Sequence, residues 1–164
     1  MRVLGIDPGI TNTGYALVIE NGNSMSAGGH GTVKTSSSDE MSLRLDILYE
    51  GVKSALEEAR PDVAAVEQLF FNVNVKTAMS VGQARGVIIL ACRHAGVPCE
   101  EYTPLEVKQA VAGSGGAPKE QVEFMVKALL GIGKEKGSSH AFDAYAIAIC
   151  HLNSRRLRER LAGR

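Results

Sequence analysis

The chain has 164 residues, 45% of them hydrophobic and 22% charged, a length that suits one well-buried core and leaves no room for two ordinary domains and a linker. No apolar run reaches the roughly 18 to 20 residues needed to span a bilayer, and the first residues, MRVLGID, lack the pattern of a secretory leader. The protein is therefore expected in the cytoplasm, and its three cysteines, Cys92, Cys99 and Cys150, form no C-x-x-C pair and are expected as reduced thiols.

The net charge is zero, which taken alone counts against a nucleic-acid partner, but the charges are unevenly spread. Residues 1–67 carry ten acids and five bases, and residues 68–164 carry thirteen bases and eight acids. Any electropositive surface must come from the second part.

Residues 3–6 are a short apolar run ended by Asp7-Pro8-Gly9, so a buried strand delivers Asp7 at its C-terminal end, since proline cannot continue a central strand. Residues 14–20 read as a second strand, 21–23 as a tight turn, and about 25–35 as a third, glycine-interrupted strand, together an antiparallel meander of three. Met41, Leu45, Leu48, Val52, Leu56 and Ala59 recur at helical spacing, with Ser37 and Glu40 offering a capping box and Pro61 ending the run.

Residues 63–66 are an all-apolar strand that delivers Glu67 as the first strand delivers Asp7. A second long helix is predicted over about 75–95 and a strand over 97–102. Thr103-Pro104-Leu105-Glu106 is a capping box with proline at the first helical position, so a short helix starts there. It yields to a glycine-rich loop at 113–117, Pro118 opens a further helix to about Leu130, and a final helix runs from His140. This order is that of an α/β domain, a mixed sheet covered by helices. The arginines of the tail, about 153–164, read either as a solvated helix end or as a disordered basic segment.

Asp7 and Glu67 each end an apolar strand, and ligands of open α/β sheets gather beyond the carboxyl ends of strands. His140 and Asp143 are three apart at the start of a helix, so they share one face. Clustered carboxylates hold hard divalent cations, and such a cluster supports phosphodiester hydrolysis. Each residue alone also fits a bland role, Asp7 in a turn and Asp143 as a first-turn carboxylate favoured by the helix dipole.

Five segments, in order along the chain, add a resemblance: DPGITNTGY (7–15), AVEQLFF (65–71), GQARG (82–86), VKQAV (107–111) and HAFDAYAIA (140–148) are similar to those of the RuvC Holliday-junction resolvases. The resemblance implies an RNase H-like α/β fold, a mixed sheet with helices packed on both faces, over a single nuclease domain 1–164. It implies a homodimeric endonuclease that cuts two strands of like polarity in a four-way DNA junction, working beside RuvA and RuvB. Asp7, Glu67, His140 and Asp143 are then the metal ligands. The cofactor expected is Mg2+, two ions per site, with Mn2+ as an alternative, because the family position that is aspartate in some members and histidine in others is His140 here, and its nitrogen, softer than carboxylate oxygen, suits Mn2+ as well as Mg2+. Lys108 and Lys119 match basic positions near the scissile phosphate, and Phe70, with Phe71 beside it, matches an aromatic residue that stacks on bases at the junction centre. Lys76 and Arg85 are further candidate DNA contacts, and the helix carrying Gly82 and Gly86 is the expected dimer contact. The spacing of Asp7, Gly9 and Gly14 also resembles the phosphate loop of actin-like ATPases, but the chain has no room for the second subdomain they need.

Overall fold

The computed structural model describes residues 1–68, 75–133 and 139–163, with side chains at 75–77 set aside. Phe70 and Phe71 therefore lie outside the described residues, as does the side chain of Lys76. Strands β1 (Arg2–Asp7), β2 (Asn12–Asn21) and β3 (Ser24–Lys34) form the expected antiparallel meander, while β4 (Val63–Glu67) and β5 (Cys99–Tyr102) add in parallel. The strand order in the resulting five-stranded sheet is β3-β2-β1-β4-β5.

Helices α1 (Met41–Ala59) and α2 (Val75–His94) lie on one face, and α3 (Pro104–Ala112), α4 (Lys119–Leu130) and α5 (Ser139–Ala162) on the other. The period-2 alternation of the strands sets this division. Leu4, Ile6, Leu17, Ala64 and Val66 pack with Leu48, Val52 and Ile88 of α1 and α2. Val3, Ala16, Val18, Val63 and Ala65 pack with Val107, Val126 and the buried stretch of α5. Among the described residues no helix is long and apolar enough to cross a membrane.

Two local expectations change, and a third is decided between its alternatives. The capping box at Ser37 and Glu40 does not form: Glu40 is itself the N-cap of α1 and makes no side-chain cap bond. Serines in this segment turn on one another instead, with Ser38 N–H donating to Ser36 Oγ at 3.2 Å. The β5 strand starts at Cys99 rather than 97, because Val97 N–H is drawn back to the Cys92 carbonyl at the end of α2. The basic tail takes the helical of its two readings, continuing α5 to Ala162 with 157–163 exposed. Its anchor is Glu20, 7% exposed, whose carboxylate accepts from Arg155 at 2.6 Å and Arg156 at 2.7 Å. An acid buried this deeply is costly unless paired, and two arginines satisfy both of its oxygens.

One of the three glycines of the third strand acts as a bulge. Leu17 pairs with Gly29 and Val18 with Ala27, which leaves Gly28 as the extra residue.

Candidate active site

Asp7 and Glu67 end two adjacent parallel strands. The β1–β4 ladder runs to Ile6 opposite Val66, so the next residue of each strand places a carboxylate at the same edge of the sheet. The third and fourth groups arrive with α5, which lies directly on β1 and β2. Two glycines make that close seating possible: a Cβ on Gly5 would strike the Ala144 carbonyl, and one on Gly14 would strike the carbonyl of His140. Gly14 is also the register partner of Asp7. The first turn of α5 is therefore held against the strand position opposite the first carboxylate.

The outcome is a compact cluster. His140 Nδ1 lies 3.0 Å from Asp7 Oδ2, and one ligand atom each from Asp7, His140 and Asp143 falls within 4.8 Å of the other two. Glu67 lines the same cleft with Asp7, Asp143, Lys108 and Lys119. Burial, with the neighbouring charges of Asp7 and Asp143, pushes the Glu67 carboxyl up to about 7. Burial likewise raises Asp7 above the usual carboxylate range, against the lowering hydrogen bond from His140. Like charges crowded in a low-dielectric cleft repel one another, and a cation relieves the repulsion. The donor set, three carboxylates and one imidazole, is one that hard divalent cations accept.

Two cations of the protein's own face the cluster. Lys119, the first residue of α4, places Nζ 2.6 Å from Asp143 Oδ2. Lys108 projects from α3, whose start is set by the capping box the sequence predicts: the Thr103 hydroxyl accepts from Glu106 N–H at 3.2 Å, and the Glu106 carboxylate accepts from Thr103 N–H at 2.7 Å. Arg85, by contrast, is not part of this cleft. It pairs with Glu101 across α2 and β5, donating from Nε at 2.7 Å.

Sequence reading missed Gly5 and Gly14 as parts of the site. The signal was present, since a glycine inside a strand marks a bulge or the close approach of another backbone.

Comparison with known proteins gives the family and the fold. A protein-family model described as crossover junction endodeoxyribonuclease RuvC matches residues 3–151. A crossover junction endodeoxyribonuclease RuvC of Moorella thermoacetica is 48% identical over 167 residues, covering 100% of both chains. The structure of Thermus thermophilus RuvC in complex with a Holliday junction substrate superposes with a TM-score of 0.90 at 39% identity, covering 96% of each chain. A yeast mitochondrial Holliday junction resolvase, Ydc2, shares the fold at 14% identity and a TM-score of 0.69, covering 94% of this chain and 78% of that one.

Proposed function

The chain belongs to the RuvC family of crossover junction endodeoxyribonucleases, and on that footing we propose a Holliday-junction resolvase whose reaction is carried by Asp7, Glu67, His140 and Asp143. The observation that carries this reading is the convergence of those four side chains beside two lysines. Divalent metal ions, two Mg2+ in our reading with Mn2+ as an alternative, would be held by the four and would supply an activated water and neutralisation of phosphate charge.

The chain's own groups prepare the rest. Lys108 and Lys119 offset the charge of the phosphodiester and the additional charge that develops as the bond breaks. Lys119, paired with Asp143, would be free to turn to a phosphate where a bound cation neutralised the carboxylate. A cation held here would relieve the crowding that raises the Glu67 carboxyl. Phe70, with Phe71 beside it, supplies base stacking, and Lys76 adds a backbone contact. Arg85 is taken up by its pair with Glu101, which ties α2 to β5.

The test is cleavage of a synthetic four-way junction beside a linear duplex of the same sequence. Paired nicks at symmetric positions in two strands are expected with Mg2+, none in a chelator, and none in the duplex. Equal cutting of the duplex, or no cutting with either Mg2+ or Mn2+, overturns the reading.

Symmetric incision calls for two active sites related by a twofold axis, and the one nuclease domain we assign to 1–164 carries one. The partner surface we assign is α2: a Cβ on Gly86 would meet nothing within 4 Å, and Met79 and Leu90, 67% and 47% exposed, flank it at helical spacing. Gly86→Leu is therefore expected to leave the fold intact and shift a sedimentation profile from dimer to monomer. A Gly86→Leu protein that sediments as the wild-type dimer places the interface elsewhere. RuvA and RuvB are the further partners we expect on the same junction.

A further inference from the structure

Arg44, on the first turn of α1, is 8% exposed, yet no carboxylate is among its hydrogen-bond or ion-pair partners in the described residues. Its guanidinium donates to two hydroxyls, from Nε to Thr35 Oγ1 and from Nη2 to Thr11 Oγ1, both at 3.0 Å. A buried cation with only neutral acceptors is under-compensated, and its field favours an anion nearby.

The two hydroxyls differ in what they have left to give. Thr35 is spent: its own proton goes to the Ile10 carbonyl at 2.5 Å, and its backbone N–H goes to the Thr11 carbonyl at 3.0 Å. Thr11 is exposed, accepts from Arg44, and among the described residues donates its hydroxyl proton to nothing. A hydroxyl that accepts from a cation is a stronger donor outward, because each bond polarises the next. Its place also matters, since Thr11 lies in the short connection between Asp7 at the end of β1 and Asn12 at the start of β2. Lys34, the exposed register partner of Asn12, adds a second cation beside that connection.

We propose that Thr11, backed by Arg44, is a binding site for a backbone phosphate of the junction strand that enters the active site. The proposal rests on the nuclease reading and adds to it a contact in the β1–β2 connection that follows Asp7. Arg44 is here a positioning residue, acting through Thr11, and Thr11 is the group that touches DNA.

The experiment compares binding of a synthetic four-way junction by wild type, Thr11→Val, Thr11→Ser, Arg44→Gln and the double variant Thr11→Val with Arg44→Gln. Ca2+ replaces Mg2+ so that binding is read apart from cleavage. Thr11→Val is expected to weaken binding about fivefold to tenfold, the worth of one charge-assisted hydrogen bond at a partly wet surface, with an unchanged thermal midpoint. Thr11→Ser restores wild-type affinity. In the Arg44→Gln background the valine costs less than it does alone, because the hydroxyl has already lost the cation that polarises it. Wild-type affinity in Thr11→Val, or losses that multiply in the double variant, overturns the proposal, and the exposed Thr11 keeps the test valid even if Arg44→Gln lowers stability. A wild type that binds the junction and fails to cut it with either Mg2+ or Mn2+ overturns the nuclease reading alone, since the Thr11 comparison is made on binding.

Discussion

Glu67→Gln is expected to abolish junction cleavage and, at the same time, to make the metal-free protein more stable at pH 8. The loss of cleavage follows from removing one charge of a cation-binding cluster while keeping the shape of the side chain. The gain in stability follows from the crowding of that cluster. Burial and the charges of Asp7 and Asp143 hold the folded-state carboxyl at about 7, against an ordinary value of 4.5. Below pH 4.5 Glu67 is protonated in both folded and unfolded chains, and the contribution of the retained proton to stability is fully present. As pH rises through 7 the folded protein must ionise a crowded carboxylate, and that stability is lost. At pH 8 the cost is about 2 to 3 kcal/mol, and glutamine does not incur it. For a chain of this size that is a rise in melting temperature of roughly 5 to 10 °C in chelator, shrinking toward pH 4. Saturating Mg2+ reverses the order, stabilising the wild type and leaving the variant nearly unmoved. A variant that cuts at the wild-type single-turnover rate removes Glu67 from the metal site. A melting temperature that does not rise at pH 8 removes the charge crowding on which the argument rests.

The parts of this site differ in how far they can be read from residues alone. Asp7 is legible because Pro8 stops a short apolar strand at the carboxylate, and Glu67 because residues 63–66 are all apolar and end on an acid. Spacing also suffices to put His140 and Asp143 on one helical face. What spacing does not contain is the third dimension: nothing local says that the first turn of α5 lies over β1 and β2 and not over β5. The family resemblance brought the four residues together, and the physical cause is seen only in the packing of Ala144 on Gly5 and His140 on Gly14. The same limit explains the tail, where a run of arginines reads as solvated until Glu20, 135 residues earlier than Arg155, is found beneath it. It also explains Arg44, whose position in an amphipathic helix shows neither its burial nor the two threonines it binds. The failed cap at Ser37 is a different case, a competition among serines for the same short turn that local pattern cannot rank.

Gly14→Ala is expected to lower single-turnover cleavage by about a hundredfold or more in a protein that still folds. The added methyl would stand 2.8 Å from the His140 Cβ and closer still to its carbonyl oxygen, too near for any real contact, and the obstruction is mostly backbone, which cannot rotate away. Either the start of α5 lifts or β2 is pushed back. Both movements separate His140 and Asp143 from Asp7, since Gly14 is the register partner of Asp7 on the adjacent strand. Displacing catalytic groups by about 1 Å costs on the order of a hundredfold in rate. Overpacking of this kind costs roughly 1 to 3 kcal/mol in stability, so circular dichroism is expected to report a folded protein with a lowered melting point. Gly5→Ala carries the same clash into the centre of the sheet, against the backbone of Ala144 and within 2.9 Å of Ala148 N, and its stability loss is expected to be the larger of the two. Gly133→Ala is the control, because its methyl would meet nothing within 4 Å. If Gly14→Ala cuts the junction at the wild-type rate while Gly5→Ala only destabilises, the seating of α5 matters for folding and not for alignment of the metal ligands.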